Sequence, residues 1–144
     1  MNTSLKSAGL GALLAVLLAC GATAAMASAV LPLGSSPEIP AAQGDVHLRN
    51  TRNGNTEIRL RYLHLAPPGR IVSGTDVFVV WIRGLAPDAQ PQSLGALRVD
   101  KNLSAKLTAT TAMASFDLFI TCEESQTVTS PASLELLPFH YAAP

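Results

Sequence analysis

The chain has 144 residues, ten basic against ten acidic side chains, and 48% hydrophobic content. With a leader of about 25 residues set aside, one domain of roughly 100–120 residues remains, enough for a core without disulfide staples. The near-neutral balance argues against nucleic acid as a partner, because neutralising phosphates needs a concentrated basic footprint, and the densest positive group, Arg49, Arg52, Arg59 and Arg61, reads as a solvated sheet surface.

Residues 1–6 carry one positive charge, Lys6, and lead into an apolar run over 8–19. This is the pattern of an export leader: the charge holds the amino end inside while the apolar segment enters the membrane. Leu17, Ala19, Cys20 and Gly21 occupy the positions of a bacterial lipobox, which makes Cys20 a lipidation candidate, although Leu18 stands where a small residue is usual. Ala22-Thr23-Ala24 and Ala25-Met26-Ala27 fit ordinary signal peptidase, extending the leader from 1–20 to as far as 27. Retention of the uncharged span as a membrane anchor is a third outcome. The expected location is extracytoplasmic: periplasmic or secreted, with a lipid anchor if Cys20 is modified.

Residues 21–43 are mostly Ala, Ser, Gly and Pro with Glu38 as the one charge, and they read as a flexible linker. The domain is expected over 44–144. Val46 and Leu48 alternate with His47 and Arg49, and Arg52-Asn53-Gly54-Asn55 is a tight-turn sequence. In 56–65 the residues Ile58, Leu60 and Tyr62 share one face while Glu57, Arg59 and Arg61 share the other, the mark of an antiparallel strand with one wet face. These two runs make a hairpin. Breakers at 66–69 and 72–75 precede Val77-Phe78-Val79-Val80-Trp81-Ile82, apolar on both faces and so a central strand. Further strands are expected over 94–99, 106–110, 115–122 and 134–141, separated by a loop at 86–91 and a turn at 100–102. About seven short strands with regular turns predict an all-β fold: an antiparallel, immunoglobulin-like β-sandwich.

The candidate chemistry is sparse. His47, His64 and His140 fall in different strands, without the close spacing of a metal site. Cys122 and His140 lack the short Cys-to-His loop and following Met that a blue-copper site uses. Cys122 has no disulfide partner if Cys20 is removed or lipidated, and its apolar flanks predict a buried, inert thiol. No Gly-x-Ser-x-Gly elbow and no Gly-rich phosphate loop is present. Glu123 and Glu124 point to opposite faces of a strand and read as a solvated strand end.

The strand at 77–82, the segment Ser93-Leu94-Gly95-Ala96-Leu97, and Phe116-Asp117-Leu118-Phe119-Ile120-Thr121-Cys122-Glu123 with the later Pro131 resemble the extracytoplasmic domain of anti-sigma-K factors over about 75–137. The resemblance implies a β-sandwich that contacts or senses something outside the membrane. Those regulators carry a cytoplasmic sigma-binding arm, whereas here only residues 1–6 precede the uncharged span. The chain therefore reads as a stand-alone exported copy of such a domain.

The expected function is an exported, non-enzymatic β-sandwich that binds an envelope component or protein, or builds the envelope. One alternative is an accessory of an anti-sigma or envelope-sensing system acting through a membrane partner; another is a metal or redox protein using Cys122 and a histidine. No cofactor, metal or catalytic residue is expected, and membrane contact is expected only through the leader or a lipid. Candidate contact residues are Arg59, Arg61, Tyr62 and Trp81, with core packing as the other role for Tyr62 and Trp81. The loops at 66–74 and 86–93 are further candidates.

Overall fold

The computed structural model describes residues 28–144. The leader, its cleavage sites and Cys20 lie outside the described residues. Eight strands make up the described chain: β1 (Ser28–Pro32), β2 (Gln43–Asn50), β3 (Thr56–Leu63), β4 (Val77–Gly84), β5 (Gln92–Leu97), β6 (Ala105–Thr111), β7 (Phe116–Glu123) and β8 (Leu136–Tyr141). A single 3-10 turn, Pro68–Arg70, precedes β4. The strands form two four-stranded antiparallel sheets, in the orders β1-β2-β3-β6 and β5-β4-β7-β8, packed as a sandwich. The chain crosses between sheets after β3, β5 and β6, which gives the immunoglobulin-like arrangement expected from the sequence.

Alternation builds the core. Val46, Leu48, Ile58, Leu60 and Tyr62 from the first sheet meet Phe78, Val80, Ile82, Phe116, Leu118, Ile120 and Cys122 from the second. The β2–β3 hairpin holds the expected register, with Val46 opposite Leu60 and Leu48 opposite Ile58. Its turn places Gly54 at φ +84°, a conformation that costs other residues steric strain. Gly95, at φ +137°, sits where the β4–β5 register shifts between Val80 and Trp81. A second irregularity lies in β8 opposite Phe119, where Leu137 takes φ +48° and still reaches the core.

The stretch read as a linker over 21–43 differs in its described part. β1 pairs with β2 along five residues, from Ser28 opposite Arg49 to Pro32 opposite Asp45. Beyond it the chain crosses to the second sheet: Gly34 N–H donates to Pro138 O (3.1 Å) and Ser36 Oγ accepts from Leu137 N–H (2.7 Å). Ser36, Ile39 and Ala42 are buried by this crossing. A few apolar side chains between small residues suffice, because Leu31 and Leu33 only complete a face already built by β2.

β4 is buried along both faces, as its unbroken apolar run predicts. Its inner side chains join the sandwich core; Val77, Val79 and Trp81 join Phe119 of β7 in a second cluster on the outside of the sheet. Val128, from the connection between β7 and β8, packs against this cluster.

Candidate functional site

The outward face of the first sheet is an ordered grid, because residues opposite one another in antiparallel strands share a face. One row runs Pro32, Asp45, Arg61, Lys106; the next Val30, His47, Arg59, Thr108; the third Ser28, Arg49, Glu57, Thr110. Leu63, at the end of β3, shares the face. An open depression of about 250 Å³ lies between Asp45, His47, Arg59, Arg61, Lys106 and Thr108.

Each carboxylate is engaged. Arg61 donates from Nε and Nη2 to Asp45 Oδ1 at 3.1 and 2.9 Å. Asp45 Oδ2 lies 3.0 Å from His47 Nε2 without hydrogen-bond alignment, and no group satisfies that buried oxygen. Arg49 donates to Glu57 Oε2 (2.9 Å), and Arg59 Nε lies 2.7 Å from Oε1. The Arg49 hydrogen bond, reinforced by the charges of Arg49 and Arg59, holds the Glu57 carboxyl below the usual carboxylate range. Two carboxylates therefore face four permanent cations, and Lys106 makes no ion pair among the described residues. Lys106 stands opposite Arg61, and Arg59 lies next to Arg61 on the same face of β3, so these three cations adjoin one another. The other described residues carry an acidic excess, with five basic side chains against eight acidic.

Of the candidate contact residues, Arg59 and Arg61 belong to this face and are more than half exposed. Tyr62 and Trp81 cannot offer a contact surface, since both are buried. Tyr62 points into the inter-sheet core, where burial raises its hydroxyl pKa, and Trp81 lies in the outer cluster of the second sheet. The candidate loops are also separated: 66–74 precedes β4 and 86–93 follows it, so they occupy opposite ends of the sandwich.

The second sheet carries a different cluster, not anticipated from sequence. His140 Nδ1 and Asp117 Oδ1 are 2.6 Å apart; Arg83 reaches Glu135 Oε1 at 3.0 Å and Asp117 Oδ2 at 4.0 Å. The Arg83 guanidinium stacks 5.0 Å from the centre of the Phe119 ring. A cleft of about 340 Å³ opens here, floored by Leu118, Phe119 and Phe139. The carboxylate orients the imidazole, but among the described residues no hydroxyl or thiol hydrogen-bonds to His140 or His47, so neither forms a nucleophile–base pair. The arrangement seals the edge of the outer cluster with paired charges.

Glu123 departs from the solvated strand end read from sequence. It is buried, accepting from Thr121 Oγ1 and from Ala132 N–H (3.0 Å), while Thr121 Oγ1 accepts from Trp81 Nε1 (2.8 Å). Glu124 is exposed. Cys122 is buried, as expected, and is a free thiol among the described residues; it faces the inter-sheet core, whereas His47 and His140 lie on outward faces. Among the described residues no three His, Cys, Asp or Glu side chains gather as metal ligands.

No protein-family model, curated protein or solved structure matches this chain. The sandwich implied by the anti-sigma-K resemblance is present; the family itself is not identified.

Proposed function

We propose that this protein is an exported, non-enzymatic binding module whose contact surface is the basic outward face of β1, β2, β3 and β6. The carrying observation is the segregation of charge: Arg49, Arg59, Arg61 and Lys106 share one open sheet face, while the other described residues have an acidic excess. Such a field steers an anionic partner toward one side of the molecule. The face is shallow and presents cations that are only half neutralised, which suits an extended anionic surface better than an enclosed small molecule.

Amine footprinting of the full chain in native envelopes tests this reading, with Lys101, exposed in the β5–β6 turn, as the internal reference. Labelling of Lys106 relative to Lys101 is expected to fall when the chain is in the envelope compared with the chain in neutral detergent. An unchanged ratio overturns the assignment of this face. An envelope-sensing accessory, as the anti-sigma-K resemblance implies, would use the face to hold a membrane protein, which the same protection followed by cross-linking would capture.

A further inference from the structure

We infer that the occupant of the basic face is the bilayer itself: the first sheet lies against anionic phospholipid headgroups, beside the point where the chain leaves the membrane. This inference rests on the proposed binding face and names its partner.

Chain length is the first argument. Ordering of β1 shortens the expected tether, because the folded domain already includes Ser28–Pro32 and does not start near residue 44. If the chain is held at Cys20 or by an uncleaved leader, only residues 21–27 separate the anchored segment from β1. Those residues span at most about 25 Å even when fully extended. The domain is thus confined to the membrane surface, where weak individual charge contacts act at high effective concentration.

Orientation is the second. β1 is an edge strand of the same sheet that carries the cations, so the anchored end enters the basic face from its border. Four strands make that face about 15 Å wide, and all of it lies within reach of a headgroup layer when the sheet is laid flat.

Surface chemistry is the third. Arg49, Arg59, Arg61 and Lys106 project from the face together with two exposed apolar side chains, Val30 (59% exposed) and Leu63 (38%). Cations that pair with phosphates, interspersed with apolar groups that enter the headgroup boundary, are the composition of a membrane-lying surface. Arg83, on the opposite side of the sandwich, is partly buried and paired with Glu135, with Asp117 4.0 Å away, so it offers no free cation on that side.

The test uses the full chain reconstituted into protein-free vesicles, either pure phosphatidylcholine or phosphatidylcholine with phosphatidylglycerol. Lys106 labelling relative to Lys101 is expected to drop at least about threefold in the anionic vesicles at low salt and to recover in high salt, as screening requires. The double substitution Arg59→Gln with Arg61→Gln is expected to abolish the drop, and circular dichroism of that variant checks that the sandwich persists. Should it fail to fold, Arg59→Gln alone, which leaves the Asp45–Arg61 pair intact, is expected to reduce the drop. Equal ratios in the two vesicle types overturn the inference. If Lys106 is nevertheless protected in native envelopes, the binding face stands and its occupant is a protein or other envelope component; if it is protected in neither, the face itself is misassigned.

Discussion

Cys122 carries a thiol whose ionisation is opposed by burial and by the neighbouring charge of Glu123, and only partly eased by a hydrogen bond with Thr75. Together they push its pKa from an ordinary 9.0 up to about 11. A thiol held protonated and covered by packing is a poor nucleophile, since the thiolate is the reactive form. A thiol reagent at pH 8 should modify native Cys122 roughly a hundredfold more slowly than the denatured chain. Equal rates would show that the thiol is reachable and return the redox reading to contention. The same shift predicts a pH dependence. Below pH 9.0 both states keep the proton; between there and about 11 the unfolded thiol ionises while the folded one does not, so stability falls across that window. Urea unfolding of the wild type and Cys122→Ala through this range isolates the contribution, because the variant lacks the titrating group. The burial of Cys122 was legible from the apolar residues around it; the cause of its pKa was not, because Glu123 and Thr75 meet it only in the folded chain.

At the scale of elements, β4 and β7 depend on the connection that covers their outer face. The chain of donors from Trp81 through Thr121 to Glu123, closed by the Ala132 amide, fastens residues 124–135 over Val77, Val79, Trp81 and Phe119. A second tie runs from Cys122 N–H to Ser133 Oγ at 2.9 Å. Thr121→Val keeps the side-chain shape but leaves the indole N–H without its acceptor and Glu123 without one of its donors. The expected cost is about 1–3 kcal/mol in urea unfolding, with faster exchange of the Ala132 amide. If stability falls but Ala132 exchange is unchanged, the relay supports the strands without holding the loop. Sequence periodicity marked β4 as buried on both sides, yet could not say what covers it. The covering loop is rich in Ser and Thr and carries one inward apolar contact, Val128, so no periodic signal announces it. The burial of Glu123 is hidden for the same reason: a charged residue at a strand end looks solvated until a distant amide is brought over it.

For the whole molecule, the first sixteen described residues decide both how the sandwich is closed and where the basic face stands. β1 edges β2, and the crossing that follows ties the first sheet to β8 through Gly34 and Ser36. The hairpin at 43–63 was legible because polar and apolar residues alternate strictly there. β1 was not, since Ala29, Leu31 and Leu33 alternate with Ser28, Val30 and Pro32, a contrast too weak to distinguish a strand from an Ala- and Pro-rich tether. The distinction has a measurable consequence. A chain beginning at residue 44, where the composition changes, would expose the β2 edge and lose burial of Ile39 and Ala42, together with the Ser36–Leu137 hydrogen bond. It is expected to be about 3–6 kcal/mol less stable than one beginning at residue 28, combining the loss of apolar burial with an unsatisfied buried amide. Against a typical total of about 5–15 kcal/mol, that is enough to leave the shorter chain marginal or unfolded. Urea titrations of the two chains side by side decide the matter. Equal midpoints would mean that β1 and its crossing only rest on the sandwich, which would remove the short-tether argument for the proposed membrane contact.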